Sequence, residues 1–294
     1  DLCITVVYDC RCAALEMIYL FDVDGTLTPA KSSIDPKFAI QFLDWCSDKQ
    51  VYIVSGGSFM RILNQVGRDI FDKMQGVFAC MGNAYYSNRH NTVDGYSEWD
   101  LVYENKFKIS KKKDFYSELD WIVKDSPFHI KTGLHHEERV GMVNFSVVGR
   151  NATMEQRKVY EEYDAEFKER EKIVAKLSEK YEDIEFVIGG AVSIDIFNKG
   201  NDKSQVIRRV LKDKIETHDI VFVGDRIPFP GNDYSLASVL QEHPNGHAVE
   251  VEKMARHRST LGHKSFWQRL VYKHTIYCVE VRLCKNLQIC GFVI

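Results

Sequence analysis

Four short apolar runs constrain this chain most: MIYLF (17–21), VYIV (51–54), VFAC (77–80) and DIVFV (219–223). Each is rich in the β-branched and aromatic residues that suit strands. FAIQFLDWCSDK (38–49) separates the first two. Its Phe38, Phe42, Trp45 and Cys46 recur at i, i+4, i+7 and i+8, the spacing of one helix face. FMRILNQVGRDIFDKM (59–74) separates the next two. Strand–helix alternation of this kind predicts a parallel sheet with crossover helices, an α/β fold. Ligands of such sheets bind beyond the carboxyl ends of the strands. Asp22, Ser55 and Asp225 each follow an apolar run at that end.

The first run continues into LFDVDGTLT (20–28), with Asp22 and Asp24 one residue apart ahead of Gly25. Side chains two apart on a strand share a face, so these carboxylates would repel unless a cation or a reaction needs both. Gly25 allows a sharp turn that aims backbone N–H groups at an anion. A calcium loop would need further oxygen ligands at regular spacing, and Ala30, Lys31 and Ser32 do not supply them. Further along come VSGGS (54–58), whose Ser55 and Ser58 could donate to a phosphate, and Lys203, which could neutralise one. VFVGDRIPFPGND (221–233) carries Asp225. Asp225 could complete a magnesium site with Asp22 and the backbone carbonyl of Asp24, since Mg2+ takes few protein oxygens and keeps waters. Taken singly, a Gly-Ser turn and a solvated lysine at a helix start explain the middle two equally well.

Residues 88–198 have a different texture. MVNFSVVG (142–149), IEFVIGG (184–190) and AVSIDIF (191–197) alternate apolar and polar residues or carry turn glycines, as half-exposed antiparallel strands do. The charged stretch 154–181 between them predicts one helix with Val159, Phe167, Val174 and Leu177 turned inward. The expected organisation is an N-terminal extension (1–16), a core formed by 17–87 and 199–251, an inserted α+β domain (88–198), and a basic C-terminal segment (252–294).

A net charge of -3 argues against general affinity for nucleic acid, and no apolar stretch is long enough to span a bilayer. The start of the chain lacks the basic and apolar regions of a signal peptide, so the cytoplasm is the default location. The eight cysteines form no C-x-x-C doublet and read as reduced thiols.

The order Asp-x-Asp-Gly-Thr, strand-end Ser, Lys, then Gly-Asp with a following Asn-Asp resembles the signature of the haloacid dehalogenase-like (HAD) phosphotransferases over residues 17–251. The resemblance implies a Rossmann-like parallel-sheet core with an inserted α+β cap. It makes Asp22 the nucleophile that becomes an aspartyl phosphate and Asp24 the general acid and base. Mg2+, a serine of the second motif (Ser55 or Ser58) and Lys203 would hold the phosphoryl oxygens.

Within the inserted part, EERVGMVNFSVVGRNATMEQR (137–157) and IGGAVSIDIF (188–197) are similar to the sugar-phosphate-binding segments of the eukaryotic-type phosphomannomutases. That similarity puts Arg139, Arg150 and Lys31 on the substrate, and Ser193 and Asp195 on sugar hydroxyls. It implies interconversion of mannose 6-phosphate and mannose 1-phosphate, feeding GDP-mannose synthesis, with a hexose 1,6-bisphosphate as activator. It also implies a homodimer formed through the cap. A sugar-phosphate phosphatase of the same fold is the alternative, and a catalytically silent sugar-phosphate-binding protein is a third reading. A strong distal phosphate grip separates the first two, because a simple phosphatase has no use for one.

Overall fold

The computed structural model describes residues 16–30, 32–93 and 95–251. Lys31, the expected extension apart from Glu16, and the basic segment 252–294 lie outside the described residues.

The apolar runs form the strands of a parallel sheet. Strand β1 (Glu16–Phe21) leads through helix α1 (Pro36–Trp45) to β2 (Gln50–Val54). Helices α2 (Phe59–Val66) and α3 (Arg68–Phe71) then lead to β3 (Gly76–Ala79). Helix α1 starts where Asp35 accepts from the N–H groups of Lys37 and Phe38, with Pro36 in the first turn. It buries Phe38 and Phe42, and Phe42 packs edge-on against Phe21 of β1. The helical stretch predicted over 59–74 is broken at Gly67, whose φ of 83° no helix accommodates.

A hairpin follows, β4 (Ala84–Val93) and β5 (Tyr96–Glu104), and it extends the same sheet. The second part of the chain contains α4 (Lys112–Asp125), β6 (His136–Arg139) and β7 (Met142–Phe145). It continues with α5 (Met154–Phe167), α6 (Glu169–Lys180), β8 (Ile184–Gly189) and β9 (Ser193–Asn198). The chain then returns with β10 (His218–Gly224), α7 (Tyr234–Gln241) and β11 (Gly246–Glu250).

The first sheet runs β11-β10-β1-β2-β3-β4-β5, parallel from β11 to β3 and antiparallel from there. The second runs β6-β7-β9-β8 and is antiparallel throughout. One face of the first sheet buries Leu20, Phe78, Phe222 and Leu236 in a common core. The second sheet packs Phe145 and Ile196 against Phe115, Tyr160 and Leu177 of its helices. The α/β class with a parallel core and an α+β insertion is therefore present.

Three expectations need correction. The hairpin at 84–104 pairs with β3, so the second sheet's part begins after Glu104 and not at residue 88. Its half-exposed alternation is that of an edge hairpin, which composition does not distinguish from a separate antiparallel sheet. The helix predicted over 154–181 is two, broken at Lys168 in the left-handed region (φ 55°). Val159 and Phe167 consequently stay exposed, while Tyr160, Ile173 and Leu177 turn inward. Finally, the strand expected over 142–149 stops at Phe145 and gives way to turns.

Candidate active site

Adjacent parallel strands deliver their loops to one end of the first sheet. Asp22 follows β1 directly and its N–H donates to Val223 O of β10, which brings Asp225 alongside. Gly25 has φ 94°, and a Cβ there would collide with the Asp225 carboxylate, so only glycine permits this approach. Asp233 stands at the N-terminus of α7, fully buried. Carboxylate oxygens of Asp22, Asp225 and Asp233 all lie within 4.8 Å of one another.

Lys203 is buried completely between two of them. Its Nζ donates to Asp22 Oδ1 at 2.6 Å and to Asp233 Oδ1. Burial alone would lower the lysine, but Asp22 and Asp233 outweigh it and hold the ammonium above its ordinary range. Burial pushes Asp22 well above the usual carboxylate range; Lys203 opposes this, while Asp233 and Asp225 add to it. Three carboxylates against the Lys203 ammonium and the Arg226 guanidinium, which lies 3.7 Å from Asp225 Oδ2, still leave excess negative charge in a largely buried place. Oxygen donors at this density fit a hard divalent cation such as Mg2+. Among the described residues, Asp22 and Asp225 thus meet as the sequence predicts, and Asp233 joins them.

Asp24 belongs elsewhere. Its carboxylate accepts from Arg61 Nη2 and from Gln65 Nε2, both at 2.9 Å and both on α2. Ser55 is buried, and its hydroxyl accepts from the N–H of Gly57. Ser58 is exposed at the start of α2 and makes no capping bond.

The second sheet faces this end with a polar row. Glu137, Asn144 and Asp195 are register partners across β6, β7 and β9. Asn144 donates to Asp195 Oδ1 at 2.7 Å, and Arg150 donates to Asn144 Oδ1. Arg139 and Arg150 both pair with Glu137. Arg139 Nη1 also crosses to the first sheet's loop and donates to Gly56 O at 2.7 Å. Asp195 lies above that same glycine, and Gly189 beside it has no room for a Cβ. Ser193 donates to Gly189 O at the end of the row. Burial first, and then the neighbouring Arg139, push Arg150 down to about 10, while Glu137 opposes them. A cavity of about 490 Å³ opens between Arg150 and the residues Ser32, Ser33, Arg61, Asn64 and Gln65.

Sequence reasoning missed Arg61, Gln65, Asn144 and Glu137, and it noted Asp233 only as part of a motif, without a role. Asp233 had a signal in the Asn-Asp that follows Gly224-Asp225. Gln65 and Arg61 had one too, since i and i+4 on a helix share a face. Glu137 and Asn144 look like ordinary strand residues until the register is known.

A family model described as eukaryotic phosphomannomutase matches residues 41–260. A phosphomannomutase of Dendrobium officinale is 34% identical over 239 residues, covering 79% of this chain and 88% of its own. One of Saccharomyces cerevisiae is 32% identical over 240 residues, covering 80% and 89%. Among solved structures, the C. albicans trehalose-6-phosphate phosphatase C-terminal domain is similar at a TM-score of 0.49 and 22% identity, over 78% of this chain and 75% of that one.

Proposed function

The chain belongs to the eukaryotic phosphomannomutase family, and from that membership we propose how its own residues interconvert mannose 6-phosphate and mannose 1-phosphate. The family is one of enzymes, Mg2+-dependent phosphotransferases of the haloacid dehalogenase-like kind, and it favours this reaction over hydrolysis of a sugar phosphate. Residues 16–104 and 199–251 make the core in this reading, and 105–198 the cap. The observation that carries it is the buried Lys203 shared by Asp22 and Asp233, with Asp225 completing the acidic cluster.

Asp22 is the nucleophile. Its carboxylate oxygen attacks phosphorus, the bond to the sugar oxygen breaks, and Asp24 supplies the proton that oxygen takes. In the reverse transfer a sugar hydroxyl gives its proton to Asp24 and attacks the phosphoryl group carried on Asp22. Asp22, Asp225 and the Asp24 carbonyl would hold Mg2+, with Asp233 beside them, and the cation would offset phosphoryl charge. Lys203 holds Asp22 in place and adds positive charge; Ser55 and Ser58 donate to phosphoryl oxygens. Arg139 and Arg150 grip the phosphate that is not reacting, Lys31 contacts the substrate, and Ser193 and Asp195 read the sugar hydroxyls.

A hexose 1,6-bisphosphate starts the cycle by phosphorylating Asp22. A cap-mediated homodimer and a cytoplasmic location complete the proposal. Among the described residues, no helix is long and apolar enough to cross a membrane.

Incubation with mannose 1-phosphate, Mg2+ and glucose 1,6-bisphosphate is expected to yield mannose 6-phosphate. Release of mannose and inorganic phosphate instead would identify a phosphatase. Asp22→Asn is expected to abolish turnover with the circular dichroism spectrum intact, and surviving turnover would reject Asp22 as nucleophile.

A further inference from the structure

We propose that Glu137 is an internal stand-in for the distal phosphate, holding Arg139 and Arg150 in the substrate-free enzyme until substrate displaces it. The inference rests on the reading of those arginines as a phosphate grip.

Both guanidinium groups converge on one oxygen. Arg139 donates to Glu137 Oε2 through Nε at 3.2 Å and Nη2 at 2.7 Å, and Arg150 Nη2 reaches the same atom at 2.5 Å. Each arginine has a second anchor that does not involve Glu137. Arg139 Nη1 is held by Gly56 O, and Arg150 Nη1 by Asn144 Oδ1. The grip therefore stays formed when the carboxylate leaves. Burial is unequal in the direction this requires: the Arg139 and Arg150 side chains are 7% and 18% exposed, Glu137 43%. Glu137 also sits on β6, an edge strand of its sheet, so rotating its side chain into water disturbs no inner packing.

The charge balance agrees. Burial alone would raise Glu137, yet Arg139, Arg150 and Arg61 hold its carboxyl below the ordinary range. Left unpaired, two poorly solvated guanidinium groups would destabilise the substrate-free cap. A phosphate dianion brings more charge and more acceptor oxygens to the same donors, so it outcompetes one monodentate carboxylate. Its affinity is nevertheless reduced by the fraction of enzyme in which Glu137 occupies the place. A ligand that binds there must pair with Arg150, which bonds Asn144, which in turn bonds Asp195. Displacement thus reaches the residue proposed to read the sugar.

The test is titration calorimetry with mannose 6-phosphate and Mg2+ in an Asp22→Asn background, where turnover is blocked. Adding Glu137→Gln is expected to lower Kd by about twofold to fivefold, the upper part of the range for losing a half-exposed competing ion pair. Adding Arg150→Ala is expected to raise it. An unchanged or raised Kd in Glu137→Gln, with Arg150→Ala still weakening binding, overturns the inference and leaves the phosphate grip standing. No effect of Arg150→Ala overturns the grip itself. Should the Gln variant fail to fold, Glu137→Asp, whose shorter carboxylate cannot bridge both arginines, is expected to shift Kd the same way.

Discussion

Asp24 commits both carboxylate oxygens to α2, one to Arg61 and one to Gln65, and Arg61 bonds Gln65 in turn. Both donors favour the ionised carboxylate and hold it at one place, which suits the proposed base that takes the sugar hydroxyl's proton. Arg61→Ala is expected to lower kcat for mannose 1-phosphate by about tenfold or more, as misplacing a general base does. The loss should fall mainly on kcat, and Arg61→Lys should restore part of it. Steady-state kinetics with both variants measures the split; a loss confined to KM would make Arg61 a substrate contact alone. The pair was legible only in part. DxDG declares its chemistry because two carboxylates at a strand end have few other uses. An arginine four residues ahead of a glutamine has many. Asp233 was spelled in the Asn-Asp after Asp225, yet its convergence on Lys203 depends on how the 226–232 loop returns. Local spacing does not encode that path.

Helices α5 and α6 show what periodicity can and cannot foretell. Hydrophobic spacing through 154–181 is continuous enough to predict a helix, but nothing in it marks Lys168 as a left-handed residue. The φ of 55° lets α5 close on Asp164 O and α6 begin at a new angle, so each helix sets its own inward face; α5 buries Tyr160 and Asp164, which leaves Val159 and Phe167 outward. Arg170 then reaches Asp164 and the carbonyls of Gly189, Gly190 and Ser193, which ties the helix pair to the loop that carries Ser193. A side chain in that backbone region costs about 1 kcal/mol relative to glycine. Lys168→Gly is therefore expected to raise Tm by about 2–4 °C for a chain of this size. Thermal unfolding followed by circular dichroism checks the sign. A fall in Tm would mean that Lys168 contributes more through its surface charge than its backbone costs. Four of the five parallel strands were easier to foresee, because a strand buried on both faces leaves an uninterrupted apolar run, whereas β11 at the edge is only half-buried. The β4–β5 hairpin was not, because pairing is a long-range choice that half-exposed strands leave open.

Two sheets with separate cores meet through polar contacts that cross between them. Arg139 of the cap donates to Gly56 O of the core, and Arg226 of the core donates to Gly190 O of the cap at 2.9 Å. An isolated bridge pairs Ile188 with Gly231, and Asn83 fills the space where Gly141 has no side chain. The hydrophobic clusters of the two sheets share no residue and the crossing contacts named here are polar, so the contact can open for sugar to enter and turn. Yet an aspartyl phosphate survives only while water is kept away, and that demands closure at the moment of transfer. Arg226 lies in the loop after β10, and its cap contact is a hydrogen bond to a backbone carbonyl, which Ala removes without touching the sugar-facing row. Arg226→Ala is expected to raise inorganic phosphate release several-fold relative to mannose 6-phosphate formation, as about 1 kcal/mol of closure free energy is lost. Phosphate release and isomerisation, followed in parallel at saturating Mg2+, give the ratio. Saturation is established for each variant separately, because Arg226 Nε lies 3.7 Å from Asp225 Oδ2 and its removal leaves that carboxylate more negative. A constant ratio would place the seal elsewhere, on Arg139 and Gly56. Mutase fidelity would then depend on the residue proposed to grip the phosphate, so that closure and substrate binding could not be separated by mutation.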